Sequence, residues 1–513
     1  MSAVPPPRRL GVALFLGALV LNLLITYGGV RPVDSEVVFE LCESLATRGA
    51  LDVEGTPVWK GFGIAPGKDG RLYPIFGPGE SFACVPMLVL LRGLNRTGWY
   101  ESGLLPPLHP SHYLPEAHER FTAGLPPLDL VPHAERLALP LLNVLVGALG
   151  VLVFWRIASR LSRHPAAALG VTVLYGLGTL AWPYAGDAFS EPLATLLCLV
   201  AFELLLRVDA SPPATLLWAG LALGGAIATH VTAVLFVPFF AALALRGAEH
   251  RWRKGAFLLA GLGVMLLALG SYNFVRFGSP WETGRHVDPE LVLRYGYGQS
   301  VAPWEGLFGL TLSAGKGLFL YSPAVLLGLF AWPTFHREHR FLSSMLAGAA
   351  LLRLVFIATR SDWHGGFSLG PRMLVMLIPF LLIPVVPWLD HKLAEGSGRA
   401  LRLFAGFSVL CIAQQVAFCV GEVFSYYHLV REFYAAQGIN IFEENRIYLD
   451  WEVSPLQFLL EGNRGPWLLS TLPVDNYTLW GLMTALLAAL YFIGARRVVR
   501  LSHGASVPPG VNG

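Results

Sequence analysis

Apolar stretches of about 17–22 residues recur from one end of this chain to the other, the length at which a helix crosses the hydrocarbon core of a bilayer. That recurrence excludes an ordinary soluble domain. The composition agrees: of 513 residues, 54% are hydrophobic and 14% charged, against about 25% charged in soluble proteins. The expected fold is an all-α polytopic membrane protein. Helices are expected near 10–30, 136–156, 167–185, 190–207, 214–230, 231–246, 255–276, 317–335, 341–358, 371–389, 401–421 and 477–495, or about twelve transmembrane helices. At His230 two short helices are the alternative to two full spans. The opening "PPPRRLGVALFLGALVLNLLITYGGV" has the basic flank and apolar core of a signal peptide. Its core is too long for one, and no small-x-small cleavage site follows, so it reads as a retained first helix.

Short basic segments fall between alternate helices: "RR" at 8–9, "RIASRLSRHP", "RGAEHRWRKG", "HREHR", "DHKLAEGSGR" and "RRVVR". The positive-inside rule puts them, and both termini, in the cytoplasm. The extracytoplasmic face then carries a first loop of about 31–135, loops near Asp187 and over 277–316, the link 359–372, and a tail loop of about 422–476. Two apolar stretches in the first loop, Val37–Ala46 and Phe82–Leu94, are too short to span. They read as helices lying along the membrane surface.

A formal net charge of +3 is too small to point to nucleic acid. There is no glycine-rich phosphate loop before a helix, so no nucleotide is expected. The five cysteines, Cys42, Cys84, Cys198, Cys411 and Cys419, lack metal-ligand spacing. The last three sit in apolar runs as small hydrophobes. Cys42 and Cys84 can pair if both face an oxidising compartment.

Polar residues gather at the extracytoplasmic ends. "VDSE" places Asp34 and Glu36 just after the first helix. Two carboxylates there can hold a divalent cation, or one can take a proton from a hydroxyl. They share a face only in an extended segment; the plainer reading is a helix cap. In "YAGDAFSEP", Asp187 and Glu191 meet on one face if the stretch is helical, or cap the helix that Pro192 opens.

The link "SDWHGGFSLGPR" holds Asp362, Trp363, His364, Gly365, Gly366 and Arg372. An arginine at a helix N-terminus opposes the dipole but suits an anionic ligand. The alternative is an aromatic turn with Arg372 snorkelling to headgroups. Arg276 in "SYNFVRFGSPWETG" and Lys316 in "LSAGKGLFLYSP" add cations at the same face, as phosphate binders or interfacial anchors. Arg353 and His230 lie within apolar runs, where ionisable groups are functional candidates, although a lone histidine is more often a satisfied core residue.

Taken in order, "VDSEVVFELCESLATRG", "DGRLYPIFGPGESFACVPMLVL", "GDAFSEPLATLL", "RFGSPWETG", "SAGKGLFLYSPAVLL" and "WHGGFSLGPRMLVMLIPFL" resemble stretches of bacterial integral-membrane glycosyltransferases of the GT-C type, relatives of protein O-mannosyltransferases and aminoarabinose transferases. The resemblance covers about residues 10–390. It implies a GT-C-like catalytic module over 1–421, followed by an extracytoplasmic tail loop and last helix over 422–513. It implies transfer of a hexosyl or pentosyl group from a polyprenyl-phosphate donor to a lipid, glycan or protein acceptor, in a multi-pass plasma-membrane protein among membrane lipids.

The family's catalytic and metal-associated acidic motif maps onto Asp34 and Glu36, and its second acidic motif onto Asp187 and Glu191. Ser35 intervenes where the mannosyltransferases have adjacent Asp and Glu, which leaves open the identity of the base and the need for metal. The expected metal is a divalent ion (Mg, Mn or Zn) on Glu36, Glu191 and His230. In the implied site Asp34 deprotonates the acceptor, and Arg372, with Lys316 or Arg276, neutralises the leaving phosphate. Trp363 and the glycine pair shape the sugar pocket, while Asp362 and His364 can orient the site or bind metal. A flippase for lipid-linked glycans and a non-catalytic membrane scaffold are the competing readings.

Overall fold

The computed structural model describes residues 8–26, 30, 33–53, 63–98, 135–246, 250–287 and 301–420, with short stretches between 430 and 490. Most of the tail loop and much of the expected last span lie outside the described residues. The chain begins with α1 (Arg8–Leu24) and α2 (Val33–Arg48), then a small hairpin of β1 (Ile64–Pro66) and β2 (Leu72–Pro74). There follow α3 (Gly79–Asn95), α4 (Ala138–Leu161), α5 (Pro165–Leu177), α6 (Ala181–Ala185), α7 (Glu191–Leu205) and α8 (Thr215–Thr229). The rest comprises α9 (Val237–Ala244), α10 (Arg251–Phe277), α11 (Pro303–Thr311), α12 (Leu318–Tyr321), α13 (Ala324–Glu338), α14 (Arg340–Ala358), α15 (Ile378–Leu382), α16 (Val385–Ala394), α17 (Gly398–Val420) and the short α18 (Pro455–Leu460).

Among the described residues, five segments are long and apolar enough to cross a membrane: Ala138–Leu161, Arg251–Phe277, Arg340–Ala358, Arg372–Ala394 and Gly398–Val420. Shorter apolar helices cover Arg9–Leu24, Pro165–Leu177, Thr215–Thr229 and Val231–Ala244. The protein is a membrane-embedded helical bundle. Prolines set several starts: Pro165 and Pro192 stand in the first turns of α5 and α7, where a missing N–H costs nothing. The two short apolar stretches of the first loop form α2 and α3, each longer than expected. The hairpin between them was not expected. Its three-residue strands, with Ala65 opposite Tyr73, are too short to leave an alternating pattern.

The chain breaks at His230, which is extended (φ −142°, ψ 107°) between α8 and a 3-10 turn, Val231–Phe236. A second 3-10 turn, Arg372–Leu377, follows Pro371. Arg353 on α14 joins them. It is fully buried; its Nε and Nη2 donate to the Met373 carbonyl at 3.0 and 2.8 Å, and its Nη1 to the Thr232 carbonyl at 3.0 Å. The intramembrane arginine thus satisfies carbonyls at two places where regular α-helical bonding is interrupted.

α8 and α10 cross at two glycines. A Cβ on Gly220 would lie 2.1 Å from the Leu258 carbonyl oxygen, and one on Gly261 would lie 2.1 Å from that of Leu217. Small residues let membrane helices approach to backbone contact. Away from the site described next, Glu203 on α7 gathers three arginines: Arg160 at 3.0 Å, Arg156 at 3.3 Å, and Arg207.

Candidate active site

Three element starts converge. Asp34 lies in the first turn of α2, Glu191 opens α7, and Arg372 opens the second 3-10 turn. Arg372 bridges the two carboxylates: its Nη2 is 2.9 Å from Asp34 Oδ2 and its Nε is 3.1 Å from Glu191 Oε1. Its guanidinium also sits over the Phe189 ring, 4.8 Å from the centroid, a favourable cation–π placement. His230 Nε2 reaches to 3.7 Å from the same Glu191 oxygen, and its Nδ1 is 2.7 Å from Thr232 Oγ1. Glu191 Oε2 is buried with no hydrogen-bond partner. A buried carboxylate oxygen left unpaired is costly, and this atom has the capacity to accept one more hydrogen bond.

Behind Glu191 lies Glu80, near the start of α3 and almost fully buried. Asn143 on α4 donates to Glu80 Oε1 at 3.4 Å, and to the carbonyls of Asp187 and Phe189 at 2.9 and 2.7 Å. Burial, then the charge of Glu191 and less so that of Asp187, pushes the Glu80 carboxyl well above its ordinary range, against the hydrogen bond from Asn143. Neither Glu80 nor Asn143 was singled out from sequence. A carboxyl and an amide inside otherwise apolar helices were the available signal.

The link 361–372 folds as a tight aromatic turn. Gly365 and Gly366 adopt φ of +67° and +70°, the left-handed region that favours glycine. Gly366 N donates to His364 Nδ1 at 2.9 Å, and the His364 ring stacks on Tyr448 with centroids 4.1 Å apart. Burial and the nearby Lys316 hold His364 down to about 3, so its ring is neutral. Trp363 is wholly buried and donates from Nε1 to Glu305 Oε1 at 3.3 Å, an oxygen that Asn445 also meets at 2.9 Å. Glu305, Asn445 and Tyr448 were not singled out either, because they come from distant, weakly patterned segments.

Several expected placements are corrected. Lys316 is turned into the link: its Nζ donates to the Gly366 and Ser368 carbonyls, both at 2.7 Å, and to Ser368 Oγ at 3.0 Å. Burial pushes its pKa well down, while three acceptors, one for each ammonium proton, favour the charged form. Arg276 is taken up by the hairpin. Its Nη1 donates to the Pro74 carbonyl and its Nη2 to Asn273 Oδ1 at 2.8 Å, with the guanidinium 3.7 Å from the Tyr272 centroid.

Glu36 faces Arg136, 3.0 Å away, and not Asp34, because residues two apart on a helix diverge. Asp187 accepts from the Ala188 N–H at 2.8 Å; the helix starts only at Glu191, so the two do not stack as a helical pair. Trp363 packs as core and offers no open wall. Of the expected metal set, Glu191 and His230 meet but Glu36 does not join them. Among the described residues no group of three or more His, Cys, Asp or Glu is placed to hold a metal ion. The residues present do not fit a divalent cation on that set.

In the link itself, Arg360 grips Asp362 through two contacts of 2.6 and 2.5 Å.

Comparison with protein-family models and with curated proteins finds no match. Among solved structures, the chain is similar to ArnT from Cupriavidus metallidurans. Against the crystal structure bound to undecaprenyl phosphate, identity is 17% and the TM-score 0.47, covering 96% of this chain and 76% of that one. Against the apo crystal structure, identity is 18% and the TM-score 0.46, with the same coverage.

Proposed function

We propose that the protein is a glycosyltransferase that takes a hexosyl or pentosyl group from a polyprenyl-phosphate donor and passes it to a lipid, glycan or protein acceptor at the extracytoplasmic face of the plasma membrane. The observation that supports this reading is Arg372 held between Asp34 and Glu191, where three element starts of a membrane bundle converge. A lipid-linked sugar keeps its tail in the bilayer and needs its phosphate and sugar met at the surface by a cation and a carboxylate.

In this reading the acceptor hydroxyl gives its proton to Asp34 as its oxygen bonds to the anomeric carbon. The bond from that carbon to the phosphate oxygen breaks, and its electron pair stays on the phosphate. The leaving phosphate gains negative charge, so a fixed guanidinium stabilises the transition state more than the ground state. Arg372 supplies that guanidinium, and moving toward phosphate releases Asp34 to act as base. Glu191 Oε2 accepts from a sugar hydroxyl. No step passes through a metal ion.

The test is transfer by purified protein in detergent from a panel of radiolabelled polyprenyl-phosphate sugars to membrane lipid extract, with Asp34→Asn as control. Labelled product that vanishes in the variant supports the assignment. Turnover that survives in Asp34→Asn at normal protein levels rejects Asp34 as base. A flippase is the second reading, favoured by the two 3-10 interruptions at Val231–Phe236 and Arg372–Leu377, since discontinuous helices mark transporters. Movement of labelled lipid across vesicles without sugar transfer would select it.

A further inference from the structure

Two cysteines remain outside the proposed chemistry. Cys42 on α2 and Cys84 on α3 are both fully buried in the apolar cluster between these helices. Both are free thiols in this structure, packed into that one cluster. The seam explains the meeting. Ser81 Oγ donates to the Val38 carbonyl at 2.8 Å, pinning α3 to α2. Cys42 lies about one turn beyond Val38, and Cys84 about one turn beyond Ser81. The next level of the same contact therefore brings the sulfurs together. Among the described residues no group of three metal-binding side chains includes them, so the pair lacks the further ligands that a thiolate metal site needs.

We propose that Cys42 and Cys84 form a disulfide that staples α2 to α3. Asp34 lies about two turns before Cys42, and Glu80 about one turn before Cys84. The staple therefore fixes the two helices that carry acidic groups into the site. The bond forms by thiol–disulfide exchange with an oxidising protein disulfide outside the cytoplasm. The two cysteine thiols lose two protons and two electrons as the S–S bond forms, and the oxidant's disulfide becomes two thiols. Once buried, the Cys84 thiol is unreactive: the neighbouring sulfur and burial push it far up. Exchange thus precedes closure of the seam during folding. The proposal stands apart from the transferase reading and requires only that the first loop face an oxidising compartment.

The full-length protein, taken from membranes, is denatured in N-ethylmaleimide and its intact mass measured with and without prior reduction. With five cysteines in the chain, three adducts before reduction and five after are expected, with a crosslinked peptide joining Cys42 to Cys84. Five adducts before reduction, or a crosslink between other cysteines, overturns the proposal. Folded wild type should also lose thermal stability on reduction, down to the level of Cys42→Ala, and that variant should ignore reductant. A wild type whose melting is indifferent to reductant counts against a staple. The mass count uses wild type alone, so it stands even if the variant fails to fold.

Discussion

Arg372 Nη2 lies 2.9 Å from Asp34 Oδ2, so the group proposed to meet the donor phosphate and the group proposed to take the acceptor proton neutralise each other before substrate arrives. The two should fail differently. Asp34→Asn keeps the shape and one hydrogen-bond acceptor but removes the base. Transfer should fall by about 10²–10⁴-fold, with melting little changed. Arg372→Ala leaves Glu191, only 2% exposed, without that cation. Stability should drop by about 3–5 kcal/mol, the cost of an uncompensated buried charge. Adding Glu191→Gln should recover most of that stability and none of the transfer. Recovery of transfer in the double variant would show that Arg372 acts only as a structural counter-ion.

Glu80 predicts a pH dependence of stability. Burial, followed by the charge of Glu191, raises its pKa well above the ordinary 4.5. The folded protein then holds a proton that the unfolded chain has released, so stability falls as pH rises. The contribution is full below the unfolded value and is lost as pH climbs through the higher folded value. Glu80→Gln is neutral at every pH. Its melting temperature should match wild type near pH 4 and exceed it increasingly toward pH 8, by a few degrees for each ~1 kcal/mol. A constant offset across that range would rule out titration of Glu80 as the cause.

These two cases also mark how far the amino-acid sequence can be read. Five spans were legible because a bilayer demands long apolar runs, and the break at His230 because the apolar run there is too long for one helix and short for two. Asp34, Glu191 and Arg372 were each legible as polar residues at helix ends, and the structure joins all three. Lys316 and Arg276 looked equivalent to Arg372, yet each is consumed by backbone carbonyls. That outcome depends on where the link and the hairpin fold back, which local pattern does not encode. Glu80 and Asn143 escaped for the same reason: their meaning lies in a contact between α3 and α4, not in either helix.

The crossing of α8 and α10 predicts unequal responses to added methyl groups. Gly220→Ala and Gly261→Ala each drive a Cβ to 2.1 Å from a backbone oxygen, and backbone cannot rotate away. Each should cost about 1–3 kcal/mol, the range for overpacking, read as a lower melting temperature in detergent. Gly224→Ala meets the Met265 side chain at 2.4 Å, which can move, so its cost should be smaller. Gly263 on α10 has nothing within 4 Å, and alanine there should cost nothing. Equal losses at Gly220 and Gly263 would refute the crossing.

Glu203 is the counter-charge for one end of α4 and α7. Its side chain is 5% exposed and takes Arg156, Arg160 and Arg207, whose exposures run from 25% to 43%. Three guanidinium groups around one carboxylate leave net positive charge, which the exposed arginine edges share with solvent or headgroups. Removing the carboxylate leaves three like charges with no centre. Glu203→Gln should therefore destabilise by about 2–3 kcal/mol, more at low ionic strength, where repulsion between the exposed guanidinium groups is least screened. Pairing it with Arg156→Gln, the most exposed of the three, should return part of that loss. Transfer measured on the surviving folded fraction should stay at the wild-type rate, because Glu203 touches none of the groups assigned to the chemistry. A Glu203→Gln variant with full stability but lost transfer would place this cluster in the functional site and require the proposed division of roles to be redrawn.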